Sequence, residues 1–392
     1  LKTQKRFAFY TAALLVIANC IGTGIFTTTG FLIADLKNPT VVFFVWCLGA
    51  AYALLGVRCY QKLHDLYPGS GGEYHFLKEG YHTAIGRFAG FVSLVAGFSA
   101  PIAASALGFA LYLQKFSAYS LSPFVLASGL VLTVAGLQYF YENFFLKAHN
   151  LLVLGKLLGL FLIILVCSYF ASWNPISFAE FQVSPRIVAS SFFWCAYAFS
   201  GWNAVYYVAG EVLNENKQIH RASFWGTLGV VLLYLALNFV MLFSGQPELL
   251  QGQPEVVARY LEQIFSPSVT PWLSLLIAFG LVTTTSALFI TGPRVYARMA
   301  ADRALPRYFA VREGQTPHAS LILQTALALL IIWAFDFDKI LHHTGFVLTF
   351  CSALAASVLL KKTPYTRWAF WEALIFCVLS GGLIAVDVLS MA

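Results

Sequence analysis

Charge is what this chain has least of. Only 10% of its 392 residues are Asp, Glu, Lys or Arg, against about 25% in an ordinary soluble domain. With 59% hydrophobic residues and a mean hydropathy of +0.75, a soluble globular protein is excluded and a polytopic helical membrane protein is indicated. The seven cysteines fall mostly inside apolar runs, without paired spacing. They form neither a disulfide framework nor a zinc motif. No H-E-x-x-H helix and no acid pair lies at membrane depth, and an intramembrane enzyme would need such groups. The glycines of Pro68–Glu73 lack the G-K-[ST] of a phosphate loop. No metal ligand set or cofactor motif is legible. The first apolar run is too long for a signal peptide and lacks a cleavage site.

What is present is a series of long apolar stretches. A spanning helix needs about 20 such residues. Eleven runs qualify: 7–33, 40–63, 84–113, 121–141, 146–170, 186–210, 222–244, 270–299, 318–335, 340–360 and 368–390. The net charge of +7 reads as a topology signal, not as a nucleic-acid footprint. With the N-terminus in the cytoplasm, 18 of the 24 lysines and arginines fall on the cytoplasmic side and 5 outside, with Lys156 inside a run. This is the positive-inside pattern. Two connections look structured: a turn with a short amphipathic segment from Pro68, and a helix lying on the surface within Gln246–Pro271.

Two runs are interrupted at corresponding depths. Run 1 carries C-I-G-T-G-I-F at Cys20–Phe26, and run 6 carries F-S-G-W-N at Phe199–Asn203. Glycine costs a helix interior about 1 kcal/mol relative to alanine, and broken helices at membrane depth line protein or water-filled cavities. Paired interruptions in two halves point to an inverted-repeat transporter with its site at the breaks. Five spans per repeat makes the second repeat inverted.

Five segments in order carry a family resemblance: I-G-T-G-I-F in run 1, P-G-S-G-G-E-Y-H-F-L at Pro68, F-S-G-W-N with Glu211 downstream, G-P-R-V-Y-A-R-M-A-A-D-R-A-L-P at Gly292, and T-P-H-A-S at Thr316. Together they resemble the amino acid–polyamine–organocation transporters, in look most like the L-type amino acid carriers. The resemblance implies an all-α, LeuT-like fold of five plus five helices. Residues 1–170 would form the first repeat, 171–362 the second, and 363–392 an additional helix. The family's usual twelve helices leave room for one more than the eleven read here. The resemblance further implies alternating-access, sodium-independent transport of neutral L-amino acids, by exchange or proton symport. It implies a multi-pass protein of the plasma membrane or bacterial inner membrane, with an amino acid and the lipid bilayer as partners. A single-span accessory subunit is left open. An amino acid sensor on the same fold is the alternative; large soluble output domains would favour it, and none is legible in this sequence.

A zwitterion needs donors for its carboxylate and acceptors for its ammonium, and a broken helix offers both. The amides around Gly22, Thr23 and Gly24, with the Thr23 hydroxyl, are assigned to the carboxylate. Carbonyls near Cys20, Ile21, Tyr197 and Ser200, beside Gly201, are assigned to the ammonium. By resemblance, Tyr197 stands at the family's aromatic gate. Candidate pocket-wall residues are Phe98, Ser99, Ser286 and Phe346. The absence of an acid in the middle of runs 1, 3, 6, 8 and 10 speaks against cationic substrates. Lys156, by resemblance, matches a helix-5 lysine whose ammonium replaces sodium. It is expected to bond carbonyls near Ala18 and Asn19 and hydroxyls of Thr284 or Thr285. Arg294, Arg298 and Arg303 read as positive-inside anchors, with a gating ion pair to Glu211 or Asp302 as the alternative.

Overall fold

In hydrocarbon each backbone N–H and C=O must be satisfied within its own segment, so apolar runs of this length become helices. A computed structural model of the chain describes residues 7–116, 121–174, 184–213, 215–311, 315–361 and 367–391. Lys2, Lys5, Arg6, Arg312, Lys362 and the expected boundary at 362/363 lie outside the described residues.

The helices in chain order are α1 (Phe9–Cys20), α2 (Thr23–Leu36), α3 (Pro39–Leu66), α4 (Glu73–Gly80), α5 (Thr83–Val92), α6 (Ala100–Phe116), α7 (Pro123–Phe140), α8 (Glu142–Phe170), α9 (Pro185–Ala198), α10 (Ala204–Tyr207), α11 (Glu215–Phe243), α12 (Val256–Ile264), α13 (Thr270–Ala301), α14 (His318–Ala334), α15 (Phe337–Lys361) and α16 (Arg367–Met391). Among the described residues, nine segments are long and apolar enough to cross a membrane. The interrupted α9–α10 and the 17-residue α14 complete the eleven expected runs. The corner between the first two spans is set locally. Lys37 takes a left-handed φ of 53°. Asn38 then caps α3, accepting the Thr40 and Val41 N–H groups at 2.9 and 3.2 Å, with Pro39 at the first helical position.

The interrupted helices α1–α2 and α9 lie at the centre, held by α3, α11, α13 and α15. Large apolar side chains stay exposed on the outer helices, among them Leu151, Leu158 and Phe161 on α8 and Trp368, Ile375 and Val378 on α16. They face the space a bilayer would fill.

Two proline effects shape the helices around the site. Span 3 widens into a π-helical stretch, Ser93–Ser99, between α5 and α6. Pro101 has no N–H to offer the Gly97 carbonyl. The Ser99 hydroxyl donates back to the Leu94 carbonyl at 2.8 Å. In α13, Pro293 frees the Phe289 carbonyl, and Gln138 of α7 takes it at 2.9 Å.

The helix expected on the surface, α12, is docked instead. Val256, Val257, Ala258, Tyr260 and Leu261 are buried, packed toward α2 and α13. Only its Arg259–Glu262 face is open. Apolar spacing shows that a helix has a face to bury; it does not show whether lipid or protein covers it.

Candidate functional site

Both breaks fall where the glycines stand. The N–H of Ile21 closes α1 on Ile17 at 2.9 Å, and that of Gly22 turns back to Cys20 at 2.8 Å. In a continuous helix it would have served Ala18. In the other break, Phe199 bonds Cys195 at 3.0 Å and Ser200 bonds Tyr197 at 2.9 Å. Gly201 then turns with φ +107°. A Cβ on Gly201 would lie 2.6 Å from the Asn19 carbonyl carbon, and one on Gly24 would lie 2.5 Å from Ala198 Cα. Each break thus sets a glycine against the backbone of the other. The missing side chain of Gly24 makes room for α9.

The breaks face one cavity, with about 540 Å³ of empty space, part of it open to solvent. Cys20, Gly22, Thr23, Gly24, Tyr197, Ser200 and Gly201 border it, with Asn19 and Thr284. The Tyr197 and Thr23 hydroxyls meet at 3.1 Å, tying the end of α9 to the start of α2. The first N–H groups of a helix have no intrahelical acceptor, so the Thr23 and Gly24 amides remain available at the dipole-positive end of α2.

The carbonyls are distributed differently from expectation. Ile21 already accepts Lys156 Nζ at 2.7 Å and the Thr284 hydroxyl at 2.7 Å. Cys20 accepts Gly22 N–H and the Tyr234 hydroxyl, the latter at 2.7 Å. Two lone pairs are the capacity of a carbonyl, so both are filled. Tyr197 accepts the Ser200 N–H at 2.9 Å and the Phe199 N–H as well, and is filled too. Among the cavity carbonyls, those of Asn19 and Ser200 take no bond from described residues. Tyr234 also reaches the Ala198 carbonyl at 3.3 Å, so one phenol braces both breaks. Nothing in the local pattern of α11 marks it among 19 tyrosines.

Lys156 is buried, at 5% exposure. Its partners are Ile21 and Thr284, the latter at 3.3 Å. Ala18 and Asn19 are not among them, because the ammonium reaches the break itself, at Ile21, just past the end of α1. Thr285 bonds its own helix, at Leu281. Of the candidate wall residues, Phe98 borders the cavity. Ser99 is spent on the π-helix, Ser286 bonds His149 at 2.8 Å, and Phe346 packs half-buried away from the cavity. Leu348, Leu288, Pro101 and Ser105 form the wall in their place, with Asn203 and Tyr207.

At the lysine- and arginine-rich end, Arg294 is no interfacial anchor. It is 7% exposed and grips Glu211 with two nitrogens at 2.7 and 3.2 Å. Glu142 stands at 3.5 Å, and the Phe7 ring lies under the guanidinium at 5.6 Å. Arg298 instead pairs with Asp302 at 3.3 Å, beside Lys78 at 2.9 Å. Burial opposes the Asp302 charge, but the hydrogen bond from Lys78 and the nearby Arg298 outweigh it and hold its carboxyl below the usual range. Arg294→Ala strands the buried Glu211 carboxylate. We expect a loss of roughly 3–5 kcal/mol of stability, read as a lower melting temperature in detergent. Arg294→Lys should recover only part of it, lacking the two-pronged fork.

These features match known proteins. Residues 7–389 match the amino acid permease family. The mouse Asc-type amino acid transporter 1 is 25% identical, over 89% of this chain and 68% of its own. The human large neutral amino acids transporter small subunit 2 is 24% identical, over 88% and 67%. The mouse b(0,+)-type amino acid transporter 1 is 23% identical, over 88% and 73%. Among solved structures, a mutant manganese transporter of Eremococcus coleocola shares the fold, with a TM-score of 0.66 at 13% identity, covering 97% of this chain and 85% of that one. A multi-pass helical chain with two opposed breaks around one cavity, matched along nearly its whole length, belongs to the amino acid permease family.

Proposed function

We propose that the protein moves neutral L-amino acids by alternating access, without sodium, as an exchanger or a proton symporter. The observation that carries this reading is the pair of breaks opening on one cavity, with free amides on one side and free carbonyls on the other. The substrate carboxylate meets the amides of Thr23 and Gly24. Its ammonium meets the carbonyls of Asn19 and Ser200. Spans 1–5 and 6–10 act as the two inverted repeats, and the arginine-rich end faces the cytoplasm. There the Arg294–Glu211 pair closes the inner side. Because one relative is by name a small subunit, an accessory chain belongs to the reading, and mild detergent extraction should be checked for a co-purifying partner.

Counterflow in proteoliposomes with a panel of amino acids tests the reading, with sodium and pH gradients varied separately. A protein that binds none of the panel would sink it. Binding without any flux would identify a sensor.

Tyr197 closes over the bound substrate. Tyr197→Phe keeps the ring and removes the link to Thr23. A hydrogen bond contributes about 1 kcal/mol net, so substrate release should speed up about fivefold. Unchanged exchange kinetics in both Tyr197→Phe and Tyr197→Ala would put the gate elsewhere.

A further inference from the structure

Glu73 belongs to none of the eleven spans, yet it is 3% exposed and has no ion-pair partner among the described residues. It opens α4, just after Gly71 and Gly72, whose N–H groups bond the Tyr206 carbonyl at 3.2 and 3.3 Å. In the same turn, Ser70 accepts the Gly210 N–H at 2.8 Å. The loop is thereby bolted to the segment that follows the second break. From this position one Glu73 oxygen accepts the Tyr60 hydroxyl at 2.7 Å and Asn203 Nδ2 at 2.5 Å. Asn203 Nδ2 also donates to the Tyr207 hydroxyl at 2.8 Å.

A carboxylate accepts hydrogen bonds and donates none. The amide of Asn203 must therefore turn its NH₂ toward Glu73, and Glu73 and Tyr207 together use both of its hydrogens. What remains is Oδ1, which takes no bond from any described residue. Asn203 borders both the main cavity and a smaller one behind the break, lined with Tyr52, Thr349 and Ser352. We infer that Glu73 is a positioning residue: it fixes the Asn203 amide so that Oδ1 is presented to the substrate as an acceptor. This rests on the proposed function. Such an acceptor suits a hydrogen-bond donor on the amino acid, either its α-ammonium or a side-chain hydroxyl or amide.

The test is counterflow by the full chain in proteoliposomes, with L-alanine, L-serine and L-glutamine as probes and KM and Vmax read separately. Glu73→Gln can present either an N–H or a carbonyl to Asn203, so the amide is free to flip. KM should rise about tenfold, with Vmax little changed, as expected for losing one oriented hydrogen bond to a charged or polar donor. If the donor is the α-ammonium, KM rises for all three probes; if it is the side chain, L-alanine is spared. Glu73→Gln combined with Asn203→Asp reverses the roles. The new amide donates to the new carboxylate, which keeps an oxygen for the cavity, and KM should return to within about threefold of wild type. Tyr60→Phe removes the other donor to Glu73 without freeing the amide and should leave KM unchanged. A merely structural Glu73 would not produce this reciprocal rescue of KM. If Glu73→Gln fails to fold, the double variant carries the test by itself: recovered KM supports the inference and unrecovered KM overturns it. Wild-type transport with KM unmoved in Glu73→Gln overturns the inference alone. A wild-type protein that moves none of the probes overturns the proposed function as well.

Discussion

Lys156→Ala should reduce uptake at least tenfold, and uptake by the unmodified protein should be the same in sodium as in potassium. Both results follow from where one ammonium sits. It joins α8 to the Ile21 carbonyl in the first break and to Thr284 on α13. Three segments that would move against one another during transport meet at that group. Removing it leaves Ile21 with Thr284 alone and takes positive charge away from the dipole-negative end of α1. A charge at this depth faces the bundle interior and has partners when it is functional. We expect at least a tenfold loss of uptake, about 1.4 kcal/mol or more in the transport step. Melting temperature should fall less than for Arg294→Ala, since no buried charge is stranded. Sodium-stimulated uptake by the wild type, or full activity in Lys156→Ala, refutes the role. Lys156→Arg separates the two coupling modes. An arginine stays charged, so a proton symporter that uses Lys156 would lose pH-driven accumulation and keep counterflow. An exchanger would show no such split.

Gly24→Leu should eliminate substrate binding through helix packing. A side chain at this position runs into the Ala198 backbone, with even a Cβ only 2.5 Å away. Backbone cannot swing aside as a flexible side chain can, so α2 and α9 must separate. That opens the Thr23–Tyr197 contact and moves the amides relative to the carbonyls of the second break. Placement errors of about 1 Å are enough to cost a site two orders of magnitude. Gly24→Ala should already show much of the effect. Because helix packing is disturbed, some stability should be lost as well. The readout is the melting temperature with and without the best substrate of the panel, since a ligand that binds only the folded state raises it. Wild-type ligand protection in Gly24→Leu would remove this end of α2 from the site.

What was legible along the chain was what is local. Among the described residues every one of the eleven apolar runs is helical, and nine are long and apolar enough to cross a membrane, because hydrocarbon obliges each segment to satisfy its own backbone. The two breaks announced themselves through glycine. The Asn38–Pro39 start of α3 is a signal of neighbouring residues, and so is the turn before α4. Residues far apart in the chain but marked by the two breaks do come together: Thr23, Gly24, Tyr197 and Ser200 border one cavity, and Lys156 reaches the first break. Tertiary packing alone decided how those groups are used. Ile21 and Cys20 appeared equivalent to Asn19 until Lys156, Thr284 and Tyr234 filled them from three other helices. Ser99 and Ser286 are ordinary polar positions whose hydroxyls the structure commits elsewhere. Arg294 shares the composition of an interfacial anchor, yet Glu211 draws it inside. Glu73 lies 130 residues from Asn203, and no periodicity links them. Hydropathy and helix interruption are properties of a segment, but a hydrogen bond belongs to two partners, and only packing decides which distant partner arrives.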